Sequence, residues 1–254
     1  ADAAVFLDAN ESPVAPLASL PGLNRYPAPQ PPEVLQRLAH LYRVKPENLL
    51  LGRGADDAID ALVRTFCEAN RDAIMICPPT YGVYAVAAQI QGAEIVEVPL
   101  LAQPGFALDV DGVREAWRAS VKLVFLCSPN NPTGNLLSRQ AVLRLCAALD
   151  ERALLVVDEA YVEFASENSL APELARFPNL VLLRTLSKAW ALAGARCGVA
   201  VAAPEIIELM QRERAPYPVS TRAMDDVLSV LRREGSIALE ERVRTILEER
   251  QRMA

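Results

Sequence analysis

Lys188 sits in Thr185-Leu-Ser-Lys-Ala-Trp-Ala-Leu-Ala-Gly-Ala-Arg-Cys-Gly198, a run of small and apolar residues. Ser187 precedes it, and Arg196 follows at a spacing of two helical turns. A lysine amine among such neighbours loses solvation, so its charged form is disfavoured and its pKa falls. The neutral amine is a nucleophile that forms Schiff bases with carbonyl compounds. A serine hydroxyl and a guanidinium are ligands for phosphate. A carbonyl and a phosphate on one small molecule point to pyridoxal phosphate (PLP). The same residues also fit a plain helix whose lone lysine snorkels to water, and this stretch alone leaves both readings open.

The elements around it favour the first reading. Short apolar runs predict strands at 73–77, 94–98, 121–126, 154–157, 180–183 and 198–201, with another short apolar run at 48–51. Amphipathic spacing predicts helices at 33–43, 81–91, 111–119, 138–150, 204–214, 221–234 and 239–254, and one more after Gly52-Arg-Gly-Ala-Asp56. Apolar strands alternating with helices define an α/β fold with a largely parallel sheet. Ligands in such a sheet bind beyond the carboxyl ends of the strands.

The polar clusters fall at those ends. They are Cys77-Pro-Pro-Thr-Tyr-Gly82, Ser128-Pro-Asn-Asn-Pro-Thr-Gly134, Asp158-Glu-Ala-Tyr161 and Arg184-Thr-Leu-Ser-Lys188. Turn chemistry explains any one of them. It does not explain Asp158 directly after Leu154-Leu-Val-Val157, where burial demands a cationic or hydrogen-bonding partner. The Gly-rich turn at 52–54, leading into a helix, is a natural anion site because free N–H groups and the helix dipole point the same way, although on its own a glycine before a helix is as readily a plain turn.

Composition narrows the class. The 254 residues are 52% hydrophobic with a net charge of −6, which argues against nucleic acid or an anionic membrane as partner. No apolar run approaches a membrane span, and the N-terminus lacks the basic and apolar regions of a signal peptide. Five cysteines, none spaced as C-x-x-C, read as reduced core thiols of a cytoplasmic protein. With His40 the only histidine, neither a histidine metal site nor a Ser-His triad is expected, and no metal is assigned. Residues 1–32 are proline-rich and read as an arm, with Val5, Phe6, Leu7 and Tyr26 as its means of docking.

Taken together, Ala9-Asn-Glu-Ser-Pro13, Asn24-Arg-Tyr-Pro27, Gly52-Arg-Gly-Ala-Asp56, Pro78-Pro-Thr-Tyr-Gly82, Ser128–Gly134, Asp158–Tyr161 and Thr185–Gly198 resemble the fold-type I PLP-dependent aminotransferases. The Asn-Arg-Tyr-Pro arm and the Arg-Gly-Ala-Asp loop are similar to the branch acting on histidinol phosphate. The resemblance implies a large PLP-binding domain at 33–238 with a mostly parallel sheet between helices. It also implies that 239–254 begin a C-terminal small domain that is otherwise absent, along with an arginine that grips substrate. The spacer between Pro13 and Asn24 is short for the family.

The resemblance also implies roles. Lys188 would hold PLP as a Schiff base and then move the substrate Cα proton. Asp158 would pair with the pyridinium nitrogen, Asn131 and Tyr161 would bond the ring's phenolic oxygen, and Tyr81 would stack on the ring. Ser187, Arg196 and the backbone N–H groups of Ala55 and Asp56 would take the phosphate, with Thr185 as a further candidate. Tyr26 would reach the phosphate of a neighbouring subunit in a homodimer. Asn10 and Glu11, with Asn131, would help enclose the substrate, with glutamate and 2-oxoglutarate as the second substrate pair.

Two other readings stay open at this stage. A phospho-amino-acid decarboxylase shares the fold and most of the motifs. A non-catalytic aminotransferase-like effector domain would be accompanied by a DNA-binding domain, and no such basic segment is present.

Overall fold

The computed structural model describes residues 9–18, 22–103 and 105–253. The apolar arm residues Val5, Phe6 and Leu7 lie outside that set. The seven strands are β1 (Leu49–Gly52), β2 (Ala73–Ile76), β3 (Glu94–Glu97), β4 (Val121–Cys127), β5 (Leu154–Asp158), β6 (Leu180–Thr185) and β7 (Gly198–Val201). They form one sheet in the order β1-β7-β6-β5-β4-β2-β3. β2 through β6 pair in parallel, whereas β7 is antiparallel to both its neighbours.

Both faces of the sheet are covered, which is why the inner strands are apolar at nearly every position. The helices are α1 (Pro32–Tyr42), α2 (Ala55–Phe66), α3 (Val83–Gln91), α4 (Val110–Ala116), α5 (Arg139–Ala148), α6 (Pro204–Glu213), α7 (Thr221–Val230) and α8 (Arg233–Met253). On one face Val34 and Leu38 of α1, Leu145 of α5 and Val227 of α7 pack against Leu155, Leu182 and Val199. On the other, Ile59 and Leu62 of α2, Tyr84 of α3 and Met210 of α6 pack against Phe125, Val156 and Leu183.

Three elements differ from the sequence expectation. The stretch from Lys188 to Arg196 is not an α-helix but a series of turns with a 3₁₀ turn at Ala193–Ala195. Ala191 and Arg196 adopt left-handed backbone angles there, because the chain must reverse to run β7 antiparallel to β6. α7 stops at Val230 rather than 234. α8 then begins at Arg233, so the expected boundary at 238 falls within one continuous helix.

Candidate active site

The carboxyl ends of β4, β5 and β6 and the start of α2 surround one cleft. Its empty space, open to solvent at the mouth, is about 480 Å³. β5 delivers Asp158 to its floor, and the turn after it adds Ala160 and Tyr161. The loop after β4 adds Asn131, and the turns after β6 add Ser187, Lys188 and Arg196. Tyr81 enters from just before α3, and Ala55 and Asp56 enter from the first turn of α2.

The start of α2 has the make-up of a candidate anion cup. No side chain caps the helix, and its N-cap residue is Gly54 at φ +90°. The first N–H groups of a helix have no intrahelical partner, and the dipole favours negative charge there. Arg196 reaches over this end, with Nη2 3.8 Å from an Asp56 carboxylate oxygen. Thr185 Oγ1 lies 3.0 Å from Ser187 Oγ and accepts the Ser187 N–H at 3.1 Å, which fixes the serine at the rim.

Asp158 is 3% exposed. Its partners are not cationic. Tyr84 Oη donates to Oδ2 at 2.8 Å, and the Ala160 N–H donates to Oδ1 at 3.0 Å. Burial lifts its carboxyl from the ordinary range to about 6, against the lowering effect of those two donors. Glu159, the next residue, points to the opposite face of the sheet. There it receives Arg184 Nη1 at 2.6 Å, Ser169 Oγ at 3.0 Å and the Leu170 N–H at 2.6 Å. One carboxylate serves the cleft and its neighbour braces the loop beneath.

Lys188 differs from the expectation of a desolvated amine: its side chain is exposed at the cleft mouth. Its ammonium lies 5.4 Å from the centroid of the Tyr161 ring. Apolar neighbours in sequence do not bury it, because Ala189 and Trp190 turn into the core while Lys188 turns outward. Tyr81 donates to Asp56 Oδ1 at 3.1 Å and meets Tyr84 edge-on at 5.7 Å between ring centroids. Burial, followed by the Asp56 charge, raises its hydroxyl to about 12.

Asn10, Glu11 and Tyr26 do not line this cleft within the single chain. Glu11 accepts Arg25 Nη1 at 2.8 Å and the Tyr26 N–H at 2.5 Å, so it staples the arm to itself. Those donors hold its carboxyl below the usual range. Tyr26 stacks on Tyr217 at 4.4 Å and stays 58% exposed. Three residues of the site are not marked by the sequence reading: Cys127, which lines the cleft, Ala160, whose N–H bonds Asp158, and Tyr84, which holds Asp158 from behind it. The visible sign of Tyr84 was a second tyrosine one helical turn beyond Tyr81.

The donor set fits PLP. An uncapped helix start with a guanidinium and a serine suits a phosphate, a buried carboxylate suits a cationic ring nitrogen, and a solvent-accessible amine faces both. This fold and cleft define an α/β domain with a candidate ligand cleft at the strand ends. The chain belongs to the aminotransferase class I and II family, whose model matches residues 4–254.

It is 49% identical over 243 residues to a histidinol-phosphate aminotransferase of Aeromonas hydrophila, covering 94% of this chain and 67% of that protein. It is also similar to the crystal structure of histidinol-phosphate aminotransferase from Sinorhizobium meliloti in complex with pyridoxal-5'-phosphate. There the TM-score is 0.82 at 29% identity, over 91% of this chain and 62% of that one. An L-threonine-O-3-phosphate decarboxylase from Porphyromonas gingivalis superposes with a TM-score of 0.70 at 26% identity, over 82% of this chain and 64% of that one. The chain thus spans about two thirds of the length of the curated relatives it matches.

Proposed function

We propose that this chain is the cofactor-binding part of a PLP-dependent aminotransferase of histidine biosynthesis. It would transfer the amino group of histidinol phosphate to 2-oxoglutarate to give glutamate. The observation that carries the reading is the convergence of Lys188, Asp158 and the α2 anion cup in one cleft. The similarity to histidinol-phosphate aminotransferases at 49% identity supports the substrate.

When bound, PLP supplies a ring that draws electron density away from the substrate's α-carbon. Lys188 Nζ would hold the cofactor at its carbonyl carbon, and its amine is the group placed to move the substrate's α-proton. Asp158 would keep the ring nitrogen protonated. Asn131 and Tyr161 would bond the phenolic oxygen, and Tyr81 would stack on the ring. Ser187, Arg196 and the N–H groups of Ala55 and Asp56 would hold the phosphate.

The arm at 1–32, the cofactor domain at 33–238 and a following smaller domain beginning at 239–254 complete the reading. Tyr26, exposed on an arm already fixed by Glu11, suits contact with a second copy in a homodimer, and Asn10 and Glu11 suit a lip over the substrate. Five free, buried cysteines suit the reducing cytoplasm. Among the described residues, no helix is long and apolar enough to cross a membrane.

The decarboxylase is the second reading, favoured by the Porphyromonas gingivalis similarity. The experiment is to supply the PLP-loaded protein with histidinol phosphate and 2-oxoglutarate and measure glutamate. Carbon dioxide released from a phospho-amino acid, with no glutamate formed, overturns the aminotransferase reading.

A further inference from the structure

Tyr84 carries a hydroxyl where the packing alone calls for phenylalanine. It is 0% exposed, its ring is stacked on Phe125 at 4.8 Å, and its neighbours include Ala87, Ala88 and Ile59. A hydroxyl in such surroundings is unfavourable unless it is hydrogen-bonded. Its bond is the one to Asp158 Oδ2 at 2.8 Å. The Phe125 stack and the Tyr81 edge contact fix the ring plane, so the direction of that bond is fixed as well.

We infer that Tyr84 is a positioning residue for the reaction: with the Ala160 N–H it locks the Asp158 carboxylate in one orientation and sets how firmly that carboxylate grips a cationic ring nitrogen. The inference rests on the reading of Asp158 as the partner of that nitrogen. A carboxylate offers about four acceptor directions. Tyr84 takes one on Oδ2 and Ala160 takes one on Oδ1, so each oxygen keeps a free direction. Asp158 also lines the cleft.

The charge balance around Asp158 makes this bond consequential. Burial and the neighbouring carboxylates Asp56 and Glu159 oppose its ionisation, while the Tyr84 and Ala160 donors favour it. Cys127 of β4, paired with Asp158 of β5, also lies within hydrogen-bonding reach of Tyr84, and burial pushes its thiol up to about 12. Tyr81, Tyr161, Lys188 and Arg196 are the remaining titratable groups facing the same space. Burial and the Asp158 charge hold the Tyr84 hydroxyl well above its ordinary pKa. It therefore remains a donor throughout the neutral range.

The test is Tyr84→Phe in the full chain, which keeps the ring and its stacking. In cofactor-free protein carrying ¹³C-labelled aspartate, isotope-edited infrared should show the Asp158 ionisation midpoint rising by about one pH unit, the shift expected for losing a bond to a charged group. Site-specific 3-fluorotyrosine at position 84, a stronger donor, should move the midpoint down. In PLP-loaded protein the ¹⁵N shift of the ring nitrogen should move toward the unprotonated value in Tyr84→Phe, and kcat should fall roughly ten-fold with KM little changed.

An Asp158 midpoint unmoved in both variants, with only the melting temperature lowered, overturns the inference and leaves Tyr84 a packing residue. If instead the midpoint moves but Asp158→Asn leaves the ring ¹⁵N shift of the loaded protein unchanged, the underlying reading of Asp158 fails. The proposal's effect on the ring then fails with it.

Discussion

Gly198 lies so close to Gly54 that a Cβ on it would come within 2.2 Å of the Gly54 carbonyl carbon and 2.4 Å of the Ala55 nitrogen. The first residue of β7 and the N-cap of α2 therefore touch backbone to backbone. Ala55 N–H is one of the donors assigned to the phosphate, so the contact ties the position of the cup to the edge of the sheet.

Gly198→Ala should accordingly push the start of α2 out of place. Overpacking of this kind destabilises by about 1–3 kcal/mol, and here it moves a binding group as well. Denaturant unfolding should show the loss of stability, and PLP titration should show affinity weakened at least ten-fold. Unchanged affinity in a destabilised variant would mean that the cup lies elsewhere.

Asp158 makes stability depend on pH in a direction unusual for a carboxylate. Its folded pKa is raised to about 6, so between its ordinary value and 6 the folded chain holds a proton that the unfolded chain has released. Stability from this group therefore falls as pH rises through that window, by roughly 3 kcal/mol in cofactor-free protein. Asp158→Asn should remove this component. Urea denaturation from pH 4 to 7 should show wild type losing stability relative to the variant, and parallel profiles would contradict the buried-carboxylate account.

The chain has three lysines, Lys45, Lys122 and Lys188. Lys45 faces Glu47 and Lys122 faces Asp72, each at 3.7 Å. Borohydride reduction of the PLP-loaded protein followed by peptide mapping should place the pyridoxyl group on Lys188. Lys188→Ala should take up no label and lose amino transfer while retaining PLP more weakly. A label on Lys45 or Lys122 would refute the assignment.

Arg184 neutralises the buried Glu159 at 2.6 Å and the half-buried Glu163 at 3.4 Å, and lies 4.7 Å from the centroid of the Tyr42 ring. Arg184→Met should leave those charges unpaired and lower stability by about 3–5 kcal/mol. Arg184→Met with Glu159→Gln should recover part of the loss. Calorimetry of the two variants checks it: equal melting temperatures for the single and double variants would show that the pair is not coupled.

The sheet was legible in the sequence because strands buried on both faces are written as continuous apolar runs. The cleft was legible because its loops follow those runs. The turn from Lys188 to Arg196 was not. Ala189-Trp-Ala-Leu-Ala has good helix formers, and only pairing of β6 with β7 forces the reversal. Tyr84 was hidden because an inward tyrosine on an amphipathic helix looks like core until Asp158 is set opposite it. Glu11 could be read for polarity but not for partner, since Arg25 meets it only after the arm folds back.

β6 ends at Thr185 and β7 begins at Gly198, and these two residues are paired across the sheet. Everything between them is one closed excursion, pinned further by the Leu186 N–H on Cys197 O and the Leu192 N–H on Leu186 O. Lys188 and Arg196 both ride on it. The amine and the guanidinium thus share a single mechanical frame, and a change in the length of that loop displaces both at once. If the proposed roles hold, an insertion or deletion in this excursion would alter the grip on phosphate and the reach of the amine together, whereas changes in the segment after β4 or in the arm stand outside that coupling.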